Sequence, residues 1–115
     1  MSNDKSRLSP YTLKLSQQDK KSIKLICAVD SSFRYQYDLF DAAVAWAFDN
    51  RDELVAMANP RQGDYSSYYV CEGVDQLKDL EDAWNCNGTR ALYTALVNYL
   101  KHRSAELKMV SEAVN

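Results

Sequence analysis

Glycine, proline, histidine and cysteine are all scarce in this chain of 115 residues, and each shortage removes a class of function. The three glycines, Gly63, Gly73 and Gly88, form no G-x-x-x-x-G-K loop, so the backbone cradle of a phosphate-binding fold is missing. His102 is the sole histidine, and in the polar run YLKHRSAEL it reads as a surface residue. Cys27, Cys71 and Cys86 make no C-x-x-C pair and are too few for a disulfide framework. They read as reduced thiols and not as zinc ligands. With no constellation for acid-base or nucleophilic work, no enzyme, cofactor or metal is expected. No run of about 18 apolar residues is present, and the opening MSNDKSRLSP lacks the apolar core of a secretory signal. A cytoplasmic protein without membrane contact is therefore expected. In that setting the triplet Asn87-Gly88-Thr89, which matches a glycosylation sequon, reads as a turn.

What the chain does contain is a change of rhythm near its start. Tyr11, Leu13 and Leu15 alternate with Thr12 and Lys14, the period of a short strand with one buried face. Ser16 follows, and Asp19 three residues later completes a helix start, because the hydroxyl can accept from a free backbone N–H and the carboxylate suits the positive end of a helix. Ile23, Leu25, Ile26, Cys27 and Val29 then mark the apolar stripe of a helix over about 17–30, with Lys20, Lys21 and Lys24 on its wetter side. Leu39, Phe40, Ala43, Val44, Ala47 and Phe48 predict a second helix over about 37–57, ended by Asn59-Pro60.

The order then recurs. Residues 59–64 read as a linker, and YSSYYVCEG has the composition of a strand. Val74, Leu77, Leu80 and Trp84 predict a helix ending at Asn87-Gly88, with the glycine as its left-handed cap. Thr89 is positioned to cap a last helix that carries Leu92, Leu96, Val97, Leu100, Leu107 and Val110 to about residue 112. Both halves thus run strand, helix, turn, helix, offset by 52 to 55 positions. A strand with two helices leaves an unpaired edge and an open apolar side. Antiparallel pairing of the two strands, with four helices covering one face, removes both defects.

With these parts in order the chain resembles the ribbon-helix-helix family, the MetJ and Arc type of DNA-binding protein. The resemblance rests on Tyr11-Thr12-Leu13-Lys14-Leu15-Ser16, the helix through Val29 and the second helix beginning near Tyr37. It implies a mainly α fold with a two-stranded antiparallel ribbon, in which two ribbon-helix-helix repeats (β-α-α-β-α-α) form one pseudo-dimeric domain. On this reading residues 1–9 are a flexible basic arm and residues 10–114 a single domain, made of repeat 1 (10–58), a linker (59–64) and repeat 2 (65–114). Two units in one chain look like the tandem TraY-type relaxosome proteins of conjugative plasmids and are similar to transfer activators of the AcaB type. The turn glycine common in the family is matched by Gly88 alone, since the first half has the longer Ser31-Ser32-Phe33-Arg34-Tyr35-Gln36.

The resemblance implies sequence-specific binding of double-stranded DNA through the ribbon, by a transcriptional activator of conjugative transfer genes or a relaxosome accessory protein at an origin of transfer. RNA polymerase or relaxosome proteins are the further partners it implies, with a monomer in solution that assembles cooperatively on DNA. Thr12 and Lys14 are the outward, base-reading residues of the first strand. In the second strand they are Ser67 and Tyr69, with Cys71 at the margin, if Tyr68 and Val70 point inward; a one-residue slip turns out Ser66, Tyr68 and Val70 instead. Backbone contacts are expected from Lys5, Arg7, Ser16, Arg34, Gln36, Thr89 and Arg90, the last four at the starts of the second helix of each half.

Charge placement agrees with a DNA-facing first strand. Residues 1–25 carry Lys5, Arg7, Lys14, Lys20, Lys21 and Lys24 against Asp4 and Asp19, in a chain whose net charge is -2. The acidic stretch of Asp75, Asp79, Glu81 and Asp82 is expected to point away from DNA. A competing reading from another class is a small helical interaction module that binds protein through Tyr65, Tyr68 and Tyr69.

Overall fold

The structure, a computed structural model, describes the backbone of residues 8–114 and the side chains of residues 8–107. Its elements are β1 (Ser9–Lys14), α1 (Gln17–Val29), α2 (Gln36–Asp49), β2 (Tyr65–Val70), α3 (Val74–Trp84) and α4 (Gly88–Val114). The strands form a two-stranded antiparallel sheet in which Ser9 pairs with Val70, Thr12 with Ser67 and Lys14 with Tyr65. The fold is mainly helical with an antiparallel ribbon, as the hydrophobic pattern predicts. No helix among the described residues is long and apolar enough to cross a membrane.

α2 and α4 form the centre. Leu39, Phe40, Ala43, Val44 and Ala47 of α2, together with Ala91, Leu92, Ala95, Leu96, Tyr99 and Leu100 of α4, are all buried, and the alanines let the two helices approach closely. Ile23 and Ile26 from α1, and Leu77 and Leu80 from α3, close the sides. The sheet supplies Leu13, Tyr68 and Val70 to this core, joined by Leu15 just beyond β1. Burying these side chains is the main driving force available to a chain of this size.

Helix ends follow local chemistry, and three of them differ from the expected positions. α1 starts as predicted, with the Ser16 hydroxyl accepting from the Asp19 N–H at 3.0 Å. α2, by contrast, stops at Asp49 and not near residue 57. Asn50 donates its side-chain amide to the Trp46 carbonyl at 2.8 Å, and the Arg51 guanidinium donates to the Phe48 carbonyl at 2.6 Å. These side chains satisfy the last carbonyls and divert the chain into a single 3₁₀ turn at Arg51–Glu53. α3 likewise ends at Trp84, where Asn85 and not Gly88 takes the left-handed conformation (φ 50°, ψ 56°). Gly88 instead opens α4, and Asn87 in place of Thr89 caps it, its side-chain oxygen accepting from the Arg90 N–H at 2.8 Å.

The segment between α2 and β2 is tied to α4. The Met57 N–H donates to the hydroxyl of fully buried Thr94 at 2.8 Å, and that hydroxyl donates to the Arg90 carbonyl at 2.8 Å. Trp84 adds a bond from its indole N–H to the Arg51 carbonyl at 3.1 Å. Thr94→Val keeps the shape and removes the acceptor, leaving the Met57 N–H unsatisfied, and is expected to cost about 1–3 kcal/mol. Urea denaturation checks this, and an unchanged midpoint would show that Thr94 does not hold the segment. Gly63, at φ 109°, makes the backbone turn that enters β2.

Candidate nucleic-acid interface

One face of the ribbon packs on the core and the other is open. Along β1 the exposed positions are Pro10 and Thr12, with Lys14 half-buried; along β2 they are Tyr65, Ser67 and Tyr69. The register sets them in cross-strand pairs, Pro10 with Tyr69, Thr12 with Ser67 and Lys14 with Tyr65. Of the two registers open to YSSYYV, the structure adopts the one with Ser67 and Tyr69 outward. Tyr68 is 6% exposed and Val70 fully buried, whereas Tyr65 is 67% and Tyr69 42% exposed. Tyr68 is held inward by stacking on Phe40, with ring centroids 5.1 Å apart.

Lys14 is the charged residue of the two strands. Its ammonium lies 4.4 Å from the centre of the Tyr65 ring and donates to the Arg61 carbonyl at 3.1 Å. The contact with Tyr65 was not apparent from sequence spacing, because the two residues are 51 positions apart and meet only through strand pairing. Beside the ribbon, Gln17, Lys20, Lys21 and Lys24 of α1 line a groove of about 330 Å³ with Gln36, Ser66 and Tyr68. Ser66 and Tyr68 belong to the core side of β2, so the three lysines stand along the flank of the ribbon and not on its open face.

The helix starts are less alike than expected. At α2 the Asp38 carboxylate accepts from the backbone N–H groups of Arg34 at 3.0 Å and Tyr35 at 2.9 Å, so an anion of the chain's own already occupies part of that end. Arg34 and Gln36 are exposed there, and Tyr35 stacks on Tyr37 at 5.2 Å. At α4 the Arg90 guanidinium turns onto the segment before β2, donating from Nε to the Met57 carbonyl at 3.0 Å and from Nη2 to the Ala56 carbonyl at 3.5 Å. Thr89 is half-buried in the first turn. A Cβ on Gly88 would come within 3.0 Å of the Tyr11 ring, so glycine is what lets the start of α4 rest against β1. Burial pushes the Tyr11 phenol above its ordinary pKa, and nearby Glu81 pushes in the same direction.

Ser16 is exposed beyond the end of β1 with its oxygen engaged as the α1 cap. Lys5 and Arg7 lie outside the described residues. Cys71 falls just past β2, and its backbone N–H donates to Asp41.

Asp41 is the residue that sequence reading missed. Its carboxylate accepts from the backbone N–H groups of Cys71 at 2.9 Å, Glu72 at 3.2 Å and Gly73 at 3.0 Å, fixing the turn from β2 into α3. The available signal was an acidic side chain set between Phe40 and Ala43 on the apolar face of a helix. Asp38, Asp41 and Glu72 also line a second groove, with Ser32, Phe33, Tyr37 and Cys71, at the Tyr69 end of the ribbon. α3 continues the acidic surface with exposed Asp75, Asp79 and Asp82.

The remaining reactive groups do not converge. His102 stacks on Trp46 at 5.1 Å and meets Glu106 at 2.7 Å. None of the three cysteines is in a disulfide, and burial raises the pKa of the Cys27 and Cys86 thiols, which keeps them protonated at neutral pH. Among the described residues no group of three His, Cys, Asp or Glu side chains could hold a metal ion. No family model, curated protein or solved structure matches the chain, so the functional reading rests on this surface.

Proposed function

We propose that this chain binds double-stranded DNA in a sequence-specific way, by laying its two-stranded ribbon in the major groove, and acts as a transcriptional regulator. The observation that carries the proposal is the open face of the ribbon, where hydrogen-bonding side chains alternate with core residues on two paired strands. A two-stranded ribbon fits the major groove, and its outward side chains then meet the base edges. Lys14 can donate to guanine O6 and N7. Thr12 and Ser67 can donate or accept, and Thr12 can also touch a thymine methyl. Tyr69 offers a ring and a hydroxyl.

The buried positions support two ribbon-helix-helix repeats in one chain. Leu13 and Leu15 correspond to Tyr68 and Val70 at an offset of 55. Ile23 and Ile26 correspond to Leu77 and Leu80 at 54, and Leu39, Phe40, Ala43, Val44 and Ala47 to Ala91, Leu92, Ala95, Leu96 and Tyr99 at 52. The offset shrinks because the turns of the second half are shorter. On this reading the chain is a covalent counterpart of a ribbon-helix-helix dimer, and Lys20, Lys21, Lys24, Arg34 and Gln36 lie where phosphates flank the groove. The resemblance to transfer activators and relaxosome proteins suggests conjugative transfer genes, or an origin of transfer, as the setting. Footprinting in cells separates these, since promoters and an origin lie at different places.

A gel-shift titration across salt tests the proposal. Specific binding whose affinity falls steeply with salt is expected, because each neutralised phosphate releases counterions. Absence of binding to any duplex would favour the reading as a protein-interaction module. Lys14→Ala is expected to weaken specific binding by about 1–3 kcal/mol and to relax sequence preference. Equal affinity and preference in the variant would remove Lys14 from base readout.

A further inference from the structure

We infer that the DNA site of this protein is not palindromic and is bound in one fixed orientation, an inference that rests on the DNA-binding reading above. A two-chain ribbon presents the same side chains at both ends, so its sites mirror the protein's twofold symmetry. A single chain is free of that constraint, and this one departs from it at the ends of the ribbon and around them. At the offset of 55, Pro10 corresponds to Tyr65, Thr12 to Ser67 and Lys14 to Tyr69. The centre of the ribbon thus keeps a hydroxyl on each strand, while the corresponding outer positions are a cation in one half and a phenol in the other.

The surroundings carry the same polarity. At the Lys14–Tyr65 end the chain passes directly into α1, whose three lysines stand against one aspartate. At the Pro10–Tyr69 end it passes through Glu72 into α3, which has one lysine against four carboxylates, with Asp38 and Asp41 close by. The two helix starts also differ from each other. Arg34 and Gln36 are exposed at α2, whereas the Arg90 guanidinium at α4 is engaged by the Ala56 and Met57 carbonyls. Turning a non-palindromic duplex end for end would place Tyr69 on the guanine contacts proposed for Lys14, while the backbone, alike in both directions, keeps its phosphates in place. The two orientations of a non-palindromic sequence therefore differ in their base contacts.

Selection of the full chain against randomised duplexes tests this, followed by affinity measurements on two inverted repeats, each built by duplicating one half of the selected site. The expected result is a consensus without internal twofold symmetry, with each inverted repeat bound about tenfold or more weakly than the selected site. Lys14→Ala, selected in the same way, is expected to lose preference at one end and keep it at the other. A palindromic consensus, or an inverted repeat bound as tightly as the selected site, would overturn the inference while leaving DNA binding intact. Loss of preference at both ends in the variant would do the same. No enrichment of any sequence would overturn the inference and the proposed function together.

Discussion

Phe40→Ala is expected to destabilise the fold by about 3–5 kcal/mol, the usual cost of emptying a phenylalanine-sized space in a core that cannot fully collapse. Phe40 is completely buried on α2, and its ring stacks on Tyr68 with an interplanar angle of 29°. The loss would consume a large share of the roughly 5–15 kcal/mol that holds a domain together. It would also remove the surface that keeps Tyr68 inward, and with it the feature that distinguishes the two faces of β2. Urea denaturation of the variant beside Phe40→Leu separates these effects, because leucine fills part of the space and is expected to lose about half as much. A loss below roughly 1 kcal/mol in Phe40→Ala would show that α2 and the ribbon are packed differently.

The second large effect is expected at Asp41. Asp41→Ala leaves three backbone N–H groups of the β2-to-α3 turn without their acceptor, and water reaches this half-exposed turn only in part. A loss of roughly 3 kcal/mol is expected. Asp41→Asn retains an oxygen but neither the charge nor the second acceptor, so a smaller loss, roughly 1–2 kcal/mol, is expected. The site-specific readout is amide hydrogen exchange at Cys71, Glu72 and Gly73, which should accelerate in both variants while α1 is unaffected. Unchanged exchange at those three amides would show that Asp41 does not order the turn. The same carboxylate lies at the positive end of α3, where Gly73 offers no capping side chain, so its removal also weakens the start of that helix.

Much of the first half was legible because its signals are local. Tyr11, Leu13 and Leu15 keep strict alternation, and the Ser16–Asp19 spacing announces α1 without reference to anything distant. β2 was harder for a definite reason. YSSYYV puts a tyrosine and a serine on each face, so composition alone does not distinguish inward from outward, and the choice falls to Phe40 some thirty residues earlier. The end of α2 was misread because Leu54 and Met57 continue the apolar spacing. Side-chain bonds from Asn50 and Arg51 to the last carbonyls end the helix before that pattern matters.

The candidate site divides along the same line. Thr12 and Lys14 follow from alternation once one face of β1 is assigned to the core. Tyr65 beneath the Lys14 ammonium, the Arg90 guanidinium on the Ala56 and Met57 carbonyls, and Asp41 on the 71–73 turn are contacts between residues at least 30 positions apart. No local period records such contacts, and only the pairing of β1 with β2 and the seating of the intervening segment on α4 create them.

That pairing has a kinetic consequence. Its partners lie from 51 positions apart, for Lys14 and Tyr65, to 61 apart, for Ser9 and Val70, so the sheet closes only after a long stretch of chain has been brought round. Sheet formation should therefore be slow relative to the helices. It should also be first order, because both strands belong to one molecule. A ribbon built from two chains dissolves on dilution, whereas pairing within one chain is expected to be independent of concentration.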